Sequence, residues 1–340
     1  MNKNPRRDDW GFTMRTRRLG HLGWNVGEVG YGMWGVGGGE GGWTGASDPE
    51  SMASLEEAVA LGCNFFDTAW IYGRGHSEVL LGEFIRRHVQ SRLYIATKVP
   101  PKDRTWPSRR SSRLCDVFPP EHIEEYVEKS RANLRLDRID LLQFHVWEDS
   151  WAGDPSWQRI VDRLKSRGVI NAIGVSVNRW EPWNVIATLR TGLIDTVQVI
   201  YNIFDQAPED ELFGACRELD IGVIARVPFD EGTLTGTLAK TTTWPAGDWR
   251  NSYFVPENLH ESVDRADAIK PIVPPGSSLP ELALRFILES PFVHCVIPGM
   301  RRIEHVRSNM MVSDGRRLSK PLMKELRRHR WDRAPTGWSQ

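Results

Sequence analysis

Short β-like runs alternate with amphipathic helical segments along almost the whole chain, and this alternation limits the possible folds more than any other feature. It is typical of βα units that build a parallel sheet. Several runs are continuously apolar, as expected for strands covered on both faces. The runs span residues 29–33, 64–67, 93–98, 139–144, 171–175, 196–199, 222–225 and 294–297. Eight strands that are each followed by a helix close naturally, so we predict an α/β fold, a (β/α)8 TIM barrel rather than an open doubly wound sheet.

The segments between the runs carry helix start signals. Before the first helix, Asp48 can cap free backbone N–H groups, and Pro49 supplies a preset φ at the first helical position. Met52, Leu55 and Val59 then form one apolar face at helical spacing. Similar amphipathic stretches are predicted over residues 77–88, 121–134, 156–166, 182–190, 209–219, 280–289 and 303–309.

Several segments fall outside this repeat. Residues 18–26 are predicted to form a small N-terminal β-hairpin that can close the bottom of the barrel. Long loops follow the third strand, at residues 102–120, and the seventh strand, at residues 229–275. Loops at that end of a barrel build the active site. We predict a single domain over residues 1–340. Within it, residues 1–14 are expected to form a disordered arm and residues 313–340 a C-terminal extension.

The charge balance and the cysteines exclude several functions. With 44 basic and 44 acidic side chains, the chain lacks the basic excess that binding to nucleic acid or an anionic membrane requires. No apolar stretch approaches the roughly 18 residues of a membrane span. The 4 cysteines are scattered singly and indicate neither a zinc cluster nor a disulfide framework. We expect a cytoplasmic protein with reduced thiols, no bound metal and a small-molecule substrate.

A glycine motif after the first predicted strand suggests a dinucleotide-binding domain of the Rossmann type. Residues 30–35 read Gly-Tyr-Gly-Met-Trp-Gly and match the G-x-G-x-x-G pattern. That motif must open a helix whose N-terminus holds a pyrophosphate. Here a further glycine-rich loop follows, and the helix begins only near Asp48. We therefore interpret the motif as a mobile loop rather than a Rossmann fingerprint.

Polar side chains end three successive predicted strands. Asp67 ends the second strand, Lys98 ends the third and His145 ends the fourth. Tyr72 lies in the loop after the second strand. In a barrel all four project to one mouth, which is the face where such folds carry out chemistry.

These four side chains complement one another as a proton donor. A phenol has an ordinary pKa of about 10, but the ammonium of Lys98 would stabilise the anion of Tyr72 and lower that pKa. Asp67 would hold the charge and position of the lysine. His145 would orient a substrate oxygen or share the proton transfer. Tyr72 would then protonate an oxygen on which negative charge develops, as carbonyl reduction by hydride requires.

Each residue taken singly has a simpler interpretation. A lone Asp or Lys at a strand end is usually a solvated loop residue, and a lone Tyr or His usually packs or makes a structural hydrogen bond. Four complementary groups on three strands favour a site. Tryptophans near the predicted mouth suggest a pocket for a flat or apolar substrate, with packing of loops onto the core as the alternative. They are Trp34, Trp70, Trp106 and Trp147.

With these residues in this order, the chain resembles the aldo-keto reductase superfamily from about Arg18 to about Asn309. The family's catalytic residues are matched by Asp67, Tyr72, Lys98 and His145, and the stretches at 64–69 and 174–176 are also similar. The resemblance implies a (β/α)8 barrel without a Rossmann domain that reduces an aldehyde or ketone to an alcohol with NADPH.

The resemblance also implies where the cofactor binds. Polar groups after the fifth strand and on the sixth would hold the nicotinamide carboxamide, and these are Ser176, Asn178 and Gln198. Ser176 and Asn178 stand one residue further apart than the common Ser-Asn pair, so either alone could make the contact. Arg226 replaces the stacking aromatic residue of many members, as in bacterial and potassium-channel-subunit-like branches. The adenosine-phosphate site is matched by Gly299, Arg301, His305 and Asn309.

The expected cofactor is NADPH rather than NADH, although the Lys-Ser pair with which some members grip the phosphate is Gly299-Met300 here. Two other functions stay open. Members that accompany ion channels keep the four residues while serving a partner, so an NADPH-binding regulatory subunit with little turnover is the alternative. A metal-dependent barrel hydrolase using Asp67 and His145 ranks last, because the sequence lacks a clustered ligand set. Oligomeric state is left open.

Overall fold

The structure is a computed structural model, and it describes residues 12–39 and 42–337. Eight parallel strands follow one another in chain order, and the bridges Val29–Val296 and Gly32–Gly299 join the first strand region to the last. The predicted (β/α)8 barrel is therefore confirmed. An antiparallel hairpin precedes the barrel. The strands are β1 (Thr16–Leu19) and β2 (Trp24–Gly27) in the hairpin, then β3 (Tyr31–Gly32), β4 (Phe65–Asp67), β5 (Tyr94–Val99), β6 (Ile139–Phe144), β7 (Ile170–Ser176), β8 (Thr196–Ile200), β9 (Gly222–Arg226) and β10 (Cys295–Val296).

Helices surround the barrel and also fill the long connections. They are α1 (Trp34–Gly37), α2 (Asp48–Ala60), α3 (His76–Ile85), α4 (Leu114–Val117), α5 (Pro120–Leu134), α6 (Pro155–Ser166), α7 (Ile186–Leu189), α8 (Leu212–Glu218), α9 (Arg250–Tyr253), α10 (Pro256–Ile269), α11 (Leu279–Glu289), α12 (Ile303–Met310) and α13 (Lys320–Arg327).

Most predicted elements are present, and the differences concern the ends of elements and helices within the predicted loops. The first helix is preceded by Ser47 in an extended conformation, whereas Asp48 is already helical, and its carboxylate lies 2.8 Å from His76 Nε2. The helix predicted over 182–190 is reduced to α7, with turns before it. The loop predicted over 229–275 contains the 14-residue helix α10.

The hairpin closes the amino-terminal end of the barrel, as predicted. Leu19 and Val26 have no exposed surface and pack among interior side chains of the strands, including Phe65 and Leu141. Gly222 allows this approach, because a Cβ atom there would lie 2.8 Å from Leu19 Cδ1. Chemistry at this end is thereby excluded by packing, and the open mouth is at the carboxyl ends of the strands.

The two terminal segments differ from expectation in one respect. Residues 1–11 of the predicted arm lie outside the described residues, but Phe12 packs against the core and Met14 is buried, so residues 12–14 do not belong to a disordered arm. In the C-terminal extension, α13 leads to Trp331, whose ring packs on Phe204 at 6.0 Å between centroids. Within residues 12–39 and 42–337, no helix is long and apolar enough to cross a membrane.

Candidate active site

Asp67 and Lys98 form a buried ion pair between adjacent strands. Asp67 ends β4 and Lys98 is the fifth residue of β5, and both side chains point into the barrel mouth, at 3% and 0% exposure. Lys98 Nζ donates to Asp67 Oδ1 at 2.5 Å and to the backbone oxygen of Thr68 at 2.8 Å. Its third donor is directed at the hydroxyl of Tyr72, 3.3 Å away. The ammonium is therefore fixed with one proton facing the phenol.

A tight turn after β4 places Tyr72. The backbone N–H of Tyr72 donates to Ala69 at 3.0 Å, and Gly73 follows with a φ of 64°. A Cβ atom on Gly73 would lie 2.1 Å from the carbonyl oxygen of Gly37, so this turn and α1 can approach each other only with glycine there. The local sequence thus sets the distance between the phenol and the lysine.

His145 directly follows β6, and its backbone N–H donates to Val99 at 3.1 Å. Its ring lies edge-on to Tyr72 and to Trp106, with centroids 5.9 Å apart in both pairs. The Nδ1 atom is buried and has no hydrogen-bond partner in the described part of the chain. The structure therefore brings Asp67, Tyr72, Lys98 and His145 together as the sequence predicts.

Burial and neighbouring charges decide the protonation states. Burial raises the pKa of Tyr72, and although Lys98 opposes this shift, the pKa stays above its ordinary value. Lys98 acts in the expected direction on the pKa of Tyr72, but desolvation outweighs the nearby charge and the net shift is upward. Burial would lower the pKa of Lys98, but Asp67 and Tyr72 raise it above its ordinary value. Burial, with Lys98 and Arg226, holds the pKa of His145 well below its usual range.

Two glutamines support the carboxylate, and one of them was not predicted. Asp67 Oδ2 accepts from Gln143 Nε2 at 2.9 Å and from Gln198 Nε2 at 2.7 Å. Gln198 Nε2 also donates to Gln143 Oε1 at 3.2 Å. Both amide N–H groups of Gln198, predicted for the cofactor, are thus directed at protein atoms. Gln143 could have been found, because it is a polar residue inside the apolar run of β6.

Other residues predicted to hold the nicotinamide end lie at neighbouring strand ends. Ser176 ends β7 beside Gln198 of β8 and is buried. Asn178 Oδ1 accepts from the backbone of Trp180 at 3.0 Å, which occupies its oxygen in a local turn. Arg226 ends β9, and its Nη2 donates to the carbonyl oxygen of Val177 at 3.2 Å.

The residues predicted for the adenosine phosphates follow β10. Gly299 pairs with Gly32 across the barrel seam, and a Cβ atom on Gly299 would have no atom of the described residues within 4 Å apart from its chain neighbours. Arg301 is partly buried, and its Nη1 donates to the carbonyl oxygen of Thr44 at 2.8 Å. On α12, His305 is exposed and Asn309 is buried.

Two of the four predicted pocket tryptophans flank the site. Trp34 on α1 lies 6.4 Å from the ring of Tyr72, and Trp106 contacts His145 on another side. The ring of Trp249, which was not predicted, lies tilted against Trp34 with centroids 4.7 Å apart. It comes from the long connection after β9, and nothing in its local sequence distinguishes it from the other loop tryptophans.

The other two tryptophans have structural contacts. Trp70 packs edge-on against Tyr126 of α5, with centroids 4.8 Å apart. Trp147 is 1% exposed and donates from Nε1 to Thr188 at 2.8 Å, so its assignment to the pocket is wrong. A large apolar side chain directly after a strand end can pack outward onto the helices as well as face the mouth. The ring of Trp147 contacts Phe144, Trp151 and Trp157.

The mouth has the features of a site for a polar ligand. Arg226 Nε and His145 Nδ1 are buried without a hydrogen-bond partner among the described residues, and such groups are costly unless a ligand or water satisfies them. Ser176, Gln198 and Arg226 lie at adjoining strand ends. A nicotinamide cofactor therefore fits the residues present. No group of three or more His, Cys, Asp or Glu side chains within the described ranges could hold a metal ion.

Comparison with known proteins identifies the family of the chain. The model of the aldo/keto reductase family matches residues 28–330, which include every residue of the site. The chain belongs to the aldo/keto reductase family. The resemblance inferred from the sequence is confirmed, and the protein is an NAD(P)H-dependent aldo-keto reductase.

Relatives of this aldo-keto reductase include the NADH-specific methylglyoxal reductase of Escherichia coli, 29% identical over 314 residues, or 87% of this chain and 93% of that one. Among solved structures, the glycerol dehydrogenase AKR11B4 from Gluconobacter oxydans is 25% identical, with a TM-score of 0.74 over 95% of this chain and 98% of its own. An aldo/keto reductase from Klebsiella pneumoniae in complex with NADP and acetate is 23% identical, with a TM-score of 0.66 over 93% and 95%. The similarity to the Klebsiella protein shows the fold alone.

Proposed function

We propose that this aldo-keto reductase reduces an aldehyde or ketone to an alcohol with NADPH, and that Tyr72 is the general acid. The observation that carries the proposal is the fixed triad in which Lys98 Nζ lies 2.5 Å from Asp67 and 3.3 Å from the Tyr72 hydroxyl. The proposed enzyme is a single barrel domain. Its cysteines are scattered and unpaired, which favours a location in the cytoplasm.

The proton transfer follows from the protonation states. The raised pKa of Tyr72 keeps the phenol protonated at neutral pH, so that it can donate to a carbonyl oxygen as negative charge develops there. When bound, the reduced nicotinamide supplies the hydride to the carbonyl carbon. The phenolate that forms on Tyr72 is stabilised by the ammonium of Lys98. Asp67 keeps this ammonium charged and in place, and the two glutamines hold Asp67.

His145 acts in this proposal as a hydrogen-bond donor rather than as an acid. Its low pKa makes the imidazole neutral at pH 7, and a neutral imidazole beside the phenol can orient the substrate oxygen. Trp34 and Trp106 flank Tyr72 and His145 and favour substrates with a flat or apolar part.

The cofactor is held in this proposal by groups at the ends of β7 to β10. Ser176 and Asn178 would contact the carboxamide, with Gln198 contributing its oxygen, and the guanidinium of Arg226 would lie against the nicotinamide. Arg301 would meet a 2′-phosphate, with Gly299, His305 and Asn309 around it. The NADP bound by the Klebsiella protein supports NADPH, whereas the Escherichia coli relative is named as NADH-specific.

The test is the substitution Tyr72→Phe, which keeps the ring and removes the proton. We expect turnover to fall by about two orders of magnitude or more with NADPH and a panel of aldehydes and ketones, because general acid catalysis contributes about 100- to 10,000-fold. Binding of NADPH, measured by its fluorescence, should be unchanged. Tyr94→Phe is the matched control, since Tyr94 begins β5 at the closed end of the barrel.

Unchanged turnover in Tyr72→Phe would remove Tyr72 from its role. Tight NADPH binding by the natural protein without oxidation across the whole panel would instead favour the regulatory-subunit alternative.

A further inference from the structure

Two arginines and two aspartates form a buried cluster beside the active-site mouth. Arg179, from the connection after β7, donates Nη2 to Asp205 at 2.7 Å and to Asp230 at 2.5 Å. Arg333, from the C-terminal extension, donates Nη2 to the same two carboxylates at 3.0 and 2.6 Å. The arginine side chains are 1% and 3% exposed. We call these four residues the mouth cluster.

The mouth cluster holds a segment with unfavourable backbone conformations. The loop that follows Arg226 contains Val227, Asp230 and Glu231 with φ values of 55°, 46° and 58°. Residues other than glycine avoid this left-handed region, and a β-branched valine does so most strongly. Such conformations persist only where the surroundings fix them. Asp230, which is fully buried, is fixed by both arginines of the cluster.

The mouth cluster also reaches Arg226 from a second direction. The Arg226 guanidinium donates to the carbonyl oxygen of Val177, which lies two residues before Arg179 in the same connection. Arg226 is thus joined to the cluster through its own loop on one side and through its hydrogen-bond acceptor on the other. A change in the cluster would therefore shift both supports of this side chain.

The charges of the mouth cluster balance only with the arginine from the extension. Asp205 and Asp230 are two acidic groups, and Arg179 alone supplies one positive charge, while burial raises the pKa of Asp230 to about 7. Removing one partner of a buried ion pair leaves an uncompensated charge, which is strongly destabilising. If Arg333 is lost, Asp230 keeps only one of the two arginines that fix it, so the loop that carries Asp230 is held less firmly.

We propose that Arg333 is a positioning residue, which acts from the C-terminal extension to hold the loop after β9 and thereby sets Arg226 for the nicotinamide cofactor. The inference rests on the proposed cofactor site, but its first consequence, a loop held by Arg333, belongs to the protein without cofactor.

The test compares three variants of the full chain. Arg333→Met removes the charge, and Arg333→Met combined with Asp230→Asn restores neutrality. Arg330→Met is the control, because Arg330 anchors the same segment through Asp210, at 2.7 and 2.6 Å, without touching the cluster. Hydrogen exchange of peptides covering residues 226–236 is measured without cofactor, and the Kd for NADPH is measured by fluorescence.

We expect Arg333→Met to raise exchange in residues 226–236 by about 10-fold or more and to weaken NADPH binding by a similar factor, because the loop opens locally. The double variant should return both values to within about 3-fold of the natural protein, since its buried charges balance. Arg330→Met should change neither. If Arg333→Met does not fold, Arg333→Lys, which keeps the charge and loses the planar fork, is compared with Arg330→Lys, and faster exchange only in the former supports the inference.

Unchanged exchange in the Arg333 variants would overturn the inference, as would equal effects of the Arg333 and Arg330 substitutions or a double variant that restores nothing. If the natural protein does not bind NADPH, the proposed function fails, while the exchange comparison still tests the role of Arg333 in holding the loop.

Discussion

At the scale of single residues, the site keeps both Tyr72 and His145 neutral around a charged lysine. Burial raises the pKa of the phenol and lowers the pKa of the imidazole, so desolvation disfavours the charged form of each. Lys98 stays charged because Asp67 lies against it. This combination suits a donor that must hold its proton until the substrate oxygen becomes basic.

The pH dependence of reduction should reflect these shifts. In the proposed mechanism the acid is lost only when pH rises through the pKa of Tyr72, which is raised above its ordinary value of about 10. His145 adds no change in rate near pH 6.5, because it is already neutral there. We expect kcat/KM for carbonyl reduction to be level from about pH 6 to about pH 9. Thermal melting over the same range controls for unfolding. A change in kcat/KM near pH 6.5 that disappears in His145→Gln would contradict the neutral state of His145.

Residue identities predict part of this site and not the rest. The three polar residues at strand ends, and Tyr72 in the loop after one of them, could be predicted to lie together because a parallel barrel aligns the ends of its strands. The partners of Asp67 could not, since the orientation of Gln198 depends on Gln143, a residue 55 positions away. The direction of the Tyr72 pKa shift could not be predicted either, because it depends on how much of this side chain the folded loops cover.

At the scale of elements, the joint between β9 and β10 depends on a histidine. The backbone N–H of His294 donates to Val223 at 3.0 Å, and His294 Nδ1 accepts from the N–H of Val223 at 2.9 Å. Burial, reinforced by Arg17, lowers the pKa of His294 to about 4. The ring must be neutral at Nδ1 to accept this bond, so the pairing of the two-residue strand β10 is sensitive to acid.

Stability should therefore fall between pH 6.5 and about pH 4. The unfolded chain binds a proton at about pH 6.5, whereas folded His294 does so only near pH 4. Its contribution is complete above the unfolded pKa and is lost as pH decreases, by about 3 kcal/mol in total. His294→Asn keeps an acceptor near Nδ1 and should remove this part of the slope in urea unfolding measured from pH 7 to 4.

His260→Asn, at an exposed histidine on α10, is the control and should leave the slope unchanged. A slope of equal size in the His294 and His260 variants would show that other groups cause the acid sensitivity.

The elements themselves were predictable where hydrophobic periodicity is continuous. Strand β6 begins and ends as predicted, because its six residues are all buried. Helix α10 was missed although Pro256 stands at its first turn and Leu259 and Val263 share its buried face. Its surroundings are rich in Thr, Pro, Gly and Trp, and this composition masks the helical pattern. Helix α7 is shorter than predicted, since turns occupy the preceding residues.

At the scale of the whole molecule, stability and chemistry are separated at opposite ends of the barrel. The hairpin residue Leu19 fills the closed end, and the polar cluster around Tyr72 lies at the other. Leu19→Ala should lower the free energy of unfolding by about 2–5 kcal/mol, the usual cost of removing a buried leucine side chain. Turnover measured well below the melting temperature should stay unchanged.

Denaturant unfolding and steady-state kinetics on one preparation check this separation. Leu22→Ala, in the same hairpin but only partly buried, should cost less. A loss of turnover in Leu19→Ala without a loss of stability would show that the two ends are coupled.

Contacts between distant segments define the limit of prediction for the whole molecule. Thr44 donates to Asp248 at 2.7 Å across 204 positions, which joins the loop after β3 to the connection after β9. The barrel topology brings the two loops to one mouth, but it does not determine which of their side chains meet. The contact between the rings of Trp34 and Trp249 has the same origin.

The mouth cluster has a consequence for biosynthesis. Arg333 follows Asp230 by 103 positions, and a polypeptide leaves the ribosome with its amino end first. A nascent chain therefore carries Asp205 and Asp230 with a single arginine for them while α10 to α13 are still being made. The mouth of the barrel therefore acquires its final electrostatic balance only after the hairpin that closes the opposite end has been synthesised.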